Sequence, residues 1–134
     1  MKSDESREKA LRLCGFALEK KATDLMLLEV GELTSIAEYF IICSGRSDRQ
    51  VQSIAQGIEE GSAHEGFKPF AVEGTGRGHW VLMDFSDVVV HIFYEPVRKF
   101  YDLDGLWGHA PRVRLPEAYS KLVEQFQSAD DQLT

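Results

Sequence analysis

Two apolar runs, Trp80 to Phe85 and Val88 to Phe93, flank the dipeptide Ser86-Asp87, and this arrangement limits the possible folds more than any other stretch of the chain. Short runs rich in Val, Ile and aromatic residues, joined by a two-residue turn, form an antiparallel hairpin. The turn sets the register, with Phe85 opposite Val88 and Trp80 opposite Phe93. Because side chains alternate along a strand, Val81, Met83, Phe85, Val88, Val90 and Ile92 share one wholly apolar face, which must be core. The other face carries Trp80, Leu82, Asp84, Val89, His91 and Phe93, and its large apolar members are costly to leave in water. That mixed face needs a cover, supplied by a helix of the same chain or by a partner.

The flanking sequence supplies further elements. Ala10, Leu11, Cys14, Ala17 and Leu18 follow helical spacing between Ser6 and Lys21. Asp24 to Val30 reads as a strand, and the continuously apolar Tyr39 to Cys43 reads as a strand covered on both faces. Ser47, with Gln50 three residues on, has the form of a capping box opening a helix whose apolar face is Val51, Ile54, Ala55 and Ile58. Gly61 or Gly66 can end it before a strand near Phe70 to Glu73, and this strand, helix, strand order suggests a right-handed crossover with parallel pairing. The segment GTGRG, residues 74–78, connects into the hairpin. After the hairpin Pro96 opens a short helical piece through Tyr101. The run GHAPRVRLP reads as irregular and peripheral, and Pro116 starts a last helix bearing Tyr119, Leu122, Val123 and Phe126. The fold class is α/β (α+β), a mixed sheet of about five strands flanked by helices. Residues 1–112 form a single domain and residues 113–134 a C-terminal extension.

Composition narrows the function. A chain of 134 residues with 43% apolar content can bury a core without metal or disulfide staples. Its 15 basic and 22 acidic residues give a net charge of −7, which argues against wrapping a nucleic-acid backbone and favours a basic partner. Cys14 and Cys43 fall in apolar settings and read as inert core thiols in a reducing compartment. The charged N-terminus has the pattern of neither a signal peptide nor a membrane span, so the expected location is cytoplasmic.

Candidate chemistry is thin. SGRSDR, residues 44–49, lies between a strand and a helix, where backbone amides can hold an anion, but it lacks the GxxxxGK[ST] and GxGxxG spacings. A capped strand-to-helix turn is the better reading. Asp84, Asp87 and His91 are metal-ligand or acid-base materials, yet they do not sit as direct cross-strand partners, and a rim carboxylate with a satisfied histidine explains them more simply. No catalytic residue, cofactor or metal is assigned. Trp80, Tyr101 and Trp107 read equally as core fillers or as interface anchors within a polar rim.

From about Lys21 to Trp107 the chain resembles the ribosomal silencing factor family, also called RsfS or Iojap-like. The likeness is carried by AEYFIICSGRSDRQVQSIA at residues 37–55, VEG at 72–74, WVLMD at 80–84, DVVVHIF at 87–93, and Arg98 with FYDLDGLW at 100–107. Glu38, Ser86 and the order Glu95-Pro96 depart from the family pattern, Ser86 replacing a common glycine. The resemblance implies a nucleotidyltransferase-like fold without transferase activity. It also implies a factor that binds the large ribosomal subunit through its fourteenth large-subunit protein, blocks joining of the small subunit and represses translation. Direct nucleic-acid contact would be slight, no membrane would be involved, and a homodimer is possible. The partner-binding residues on this reading are Trp80, Leu82, Asp84, His91, Arg98, Tyr101, Asp102, Leu106 and Trp107, with Asp104 a further candidate for a rim ion pair. The mixed hairpin face would stay uncovered by its own chain so that the partner can occupy it. The alternative is a nucleotide-binding or nucleotidyltransferase-like enzyme using Ser44 to Arg49 with Asp84 and Asp87.

Overall fold

The computed structural model describes residues 2–119. Five strands form one mixed sheet: β1 (Thr23–Glu29), β2 (Tyr39–Gly45), β3 (Ala71–Glu73), β4 (Trp80–Asp84) and β5 (Val88–Tyr94). Helices α1 (Lys2–Glu19) and α2 (Asp48–His64) cover one face, and two short helices, α3 (Glu95–Tyr101) and α4 (Leu103–Leu106), lie on the other. The strand order is β1-β2-β5-β4-β3, with β2 and β5 parallel and every other pair antiparallel. The α+β class with a five-stranded mixed sheet matches the sequence reading.

The hairpin register is as the turn dictates, from Trp80 opposite Phe93 to Asp84 opposite Val89. Ser86 takes φ +77°, a left-handed conformation that glycine adopts without penalty, and the Asp84 carboxylate accepts from its N–H at 2.7 Å. The turn therefore keeps its geometry without glycine through a local side-chain bond. All six residues of the apolar face, from Val81 to Ile92, are at most 1% exposed.

Helix ends follow their caps. The Ser47 hydroxyl accepts from the Gln50 N–H at 3.0 Å, while Gln50 Oε1 accepts from the Arg46 N–H, one residue before the cap. Gly66, at φ +93°, ends α2, with Phe67 N–H donating to Ser62 O and Gly66 N–H to Ala63 O. Lys21 performs the same turn after α1 at φ +65°, where Ala22 N–H reaches Ala17 O.

Two expectations are corrected. The strand after α2 does not pair with β2. It lies at the far edge, and β5 takes the parallel position beside β2, because the β4–β5 hairpin inserts between them. The segment after Trp107 is not peripheral either. Pro111 O accepts from Glu29 N–H and Val113 N–H donates to Leu27 O, both at 2.8 Å, so residues 111–113 line the outer edge of β1. Val113, Leu115 and Tyr119 then pack on the core beneath α1 and α2. The predicted helix bearing Leu122, Val123 and Phe126 lies outside the described residues.

Cys14 and Cys43 are fully buried, as expected of core thiols, and burial pushes Cys43 up to about 12 and Cys14 upward as well.

Candidate partner-binding surface

The mixed face is covered in part, and this is the main departure from the sequence reading. Over β2 and β5 the chain supplies its own roof: Phe40, Ile42, Val89 and Phe93 are buried under Val97, Leu103 and Trp107. Over β4, Trp80, Leu82 and Asp84 stay half-exposed. The reason is local. Asp102 adopts φ +51° and its carboxylate accepts from Gly105 N–H at 3.1 Å, so the chain turns sharply between α3 and α4 and folds back over the sheet.

The nine candidate residues therefore separate by depth. Tyr101, Asp102 and Leu106 are exposed, Trp80, Leu82, Asp84 and Trp107 are half-buried, and His91 and Arg98 are buried at 7% and 8%. The Trp80 indole stacks on Phe93 at 5.0 Å and meets the Tyr101 ring at 4.7 Å. Trp107 packs edge-on against Phe40 at 5.0 Å, and Phe40 in turn meets His91. An aromatic layer thus runs from the surface into the sheet. Asp84 stands at the other end of β4, about 13 Å from Trp80 at the usual strand rise.

His91 and Arg98 were expected at the contact surface, but both turn inward. The Trp80 Nε1–H donates to His91 Nδ1 at 3.2 Å, which places the imidazole proton on Nε2. Burial pushes the His91 pKa down to about 4, so the ring is neutral at physiological pH. Arg98 donates to both carboxylate oxygens of Asp104, at 2.9 and 2.8 Å. The same bonds, working against burial, hold the Asp104 carboxyl below its ordinary value. Asp104 is thus engaged within the chain, while Asp102 remains exposed at the rim.

Spacing alone did not single out Phe100, which is 82% exposed and meets the Tyr101 ring edge-on at 5.2 Å. With Pro96, Val97 and Tyr101 it lines a groove of about 660 Å³, completed by Trp80 and by Gly74, Gly76, Arg77 and His79. Val97 and Tyr101 are four residues apart on α3, a helical spacing that points both toward Trp80.

The acidic residues of the enzyme alternative, and His91, are engaged within the chain. Asp87 bonds Ser6 and Lys9 at 2.6 and 2.8 Å, Asp84 bonds its own turn, and His91 bonds Trp80. Among the described residues no three His, Cys, Asp or Glu side chains stand close enough to hold a metal ion. None of the described helices is long and apolar enough to cross a membrane.

Comparison with known proteins agrees with this architecture. Residues 3–133 match the family model described as "Ribosomal silencing factor during starvation". Similar proteins include the ribosomal silencing factor RsfS of Bacillus subtilis, 42% identical over 97 residues, covering 72% of this chain and 82% of that one. The RsfS of Halalkalibacterium halodurans is 39% identical over 111 residues, covering 82% and 95%. A crystal structure of a Chromobacterium violaceum protein superposes with a TM-score of 0.74 at 33% identity, covering 76% of this chain and 85% of that one. The chain belongs to the ribosomal silencing factor family.

Proposed function

We propose that this protein silences translation by docking on the large ribosomal subunit and blocking the small subunit from joining. Its contact is the basic fourteenth large-subunit protein, met by the β4 side of the mixed face and by α3–α4. The observation that carries this reading is the exposed pair Phe100 and Tyr101, at 82% and 51% exposure, against the half-buried Trp80, with Leu106, 64% exposed, on the short helix that follows. A patch of this kind with a polar rim marks an interface. In this family setting its partner is ribosomal.

Roles follow from depth. Trp80, Leu82, Tyr101, Leu106 and Trp107 supply apolar contact, and Asp84 and Asp102 meet cationic side chains at the rim. The acidic net charge of −7 steers encounter with a basic protein. No catalysis or cofactor is invoked, direct contact with nucleic acid is slight, and the site of action is the cytoplasm. The same exposed apolar residues are available to a second copy, so a homodimer would compete with docking.

Sucrose-gradient sedimentation with purified subunits tests this, followed by a subunit-joining assay. The chain should travel with large subunits and lower the yield of joined ribosomes in proportion to occupancy. Sedimentation without any effect on joining would overturn the blocking step, and failure to sediment would overturn the docking.

A further inference from the structure

The two short helices that present Tyr101, Leu106 and Trp107 have almost no core of their own. Arg98 is the buried residue of α3, and α4 has none. Helices of seven and four residues do not hold together unaided, so their position depends on what ties them to the sheet. Val97, Leu103 and Trp107 pack on the sheet from partly buried positions, leaving a charged side chain as the deepest tie.

The Arg98 guanidinium uses every donor it has. Nε and Nη2 take the two oxygens of Asp104, Nη1 donates to Asp24 O at 2.7 Å and Ser44 Oγ at 2.9 Å, and Nη2 also reaches Met26 Sδ at 3.3 Å. One side chain thus joins α3, α4, β1 and β2. The sheet is shaped to receive it. Between Thr23 and Met26 the β1 ladder slips register, Asp24 takes φ +48°, and its carbonyl leaves the ladder to accept from Arg98.

We propose that Arg98 is the positioning residue of the docking surface: its buried guanidinium fixes α3 and α4 on the sheet so that Tyr101 stands against Trp80 and Trp107 against Phe40. The proposal rests on the docking reading above and assigns Arg98 no contact with the partner. A planar fork with five donors has no substitute in a lysine ammonium, so charge alone does not fill the role.

Arg98→Lys, Arg98→Met and Asp104→Asn test it, each by sedimentation with large subunits, by the two indole N–H resonances of Trp80 and Trp107, and by urea unfolding. Arg98→Lys should weaken docking tenfold or more, no less than Arg98→Met does, with both indole resonances displaced in chains that remain folded under assay conditions. Asp104→Asn should shift the same resonances and weaken docking severalfold. Parental affinity in Arg98→Lys overturns the proposal, as does lost affinity with both resonances unmoved, which would make Arg98 a direct contact. Where the Arg98 variants fail to fold, Asp104→Asn decides, and parental affinity there overturns it. If the parent chain does not sediment, the docking reading falls separately, and unmoved resonances in Asp104→Asn would also dismiss Arg98 as the tie that sets the platform.

Discussion

The two faces of the sheet share the same strands and are built on different terms. Under α1 and α2, helices of 18 and 17 residues, the strand side chains are apolar and almost wholly sealed. Under α3 and α4 the cover is eleven residues long in two pieces, 7 and 4, and the buried set includes His91, Arg98 and Ser44. Buried polar groups are costly unless bonded, and among the described residues no buried side-chain nitrogen or oxygen lacks a partner. The first face contributes stability mainly through buried apolar area. The second trades area for a set geometry, and keeps Phe100, Tyr101 and Leu106 in water.

The largest effect that would sharpen this contrast is a cavity under the long helices. Phe85→Ala should lower unfolding free energy by about 3–5 kcal/mol in urea titrations, whereas Phe100→Ala on the open side should stay within about 0.5 kcal/mol. Similar losses from both would erase the distinction. Next is pH. His91 has a folded pKa of about 4 against an ordinary value near 6.5, so the unfolded chain takes up the proton first. Stability from this residue is complete above pH 6.5 and is lost as pH falls toward 4, by about 3 kcal/mol. Thermal unfolding of the parent and of His91→Gln should diverge across that window, with the variant less sensitive to acid. A parent curve as flat as the variant's would show that the imidazole is not held neutral.

Trp80→Ala should weaken docking by about 2 kcal/mol, roughly thirtyfold in Kd, read by sedimentation with large subunits. A chain that still binds at parental strength would mean that the half-open face is not the contact. The smallest effect belongs to the rim. Asp84→Asn should change affinity by less than about 1 kcal/mol while slowing association and flattening its salt dependence, as stopped-flow mixing at two ionic strengths would show.

The long-helix side was readable because period-2 alternation and helical spacing both report burial, and the residues from Val81 to Ile92 and from Val51 to Ile58 lie where those periods place them. The short-helix side was not readable in the same way. Nothing in a string of residues shows that Asp102 will reverse the chain at φ +51°, or that β1 will slip at Asp24 to free a carbonyl for Arg98. Both are left-handed conformations at non-glycine positions, and their meaning depends on a partner 74 residues away in one case. Hence Arg98 and His91, which read as surface chemistry, lie buried and bonded within the chain, while Phe100 has no spacing signal to lift it from its neighbours.

The pairing of residues 111–113 along β1 has a further consequence. A sheet with a bare margin invites other chains to extend it, and proteins commonly blunt such margins. Here part of one margin is occupied by the chain's own returning segment, and the other is a strand of only 3 residues. A molecule with exposed aromatics thereby offers little backbone on which a stack of copies could grow, so its stickiness is confined to side chains.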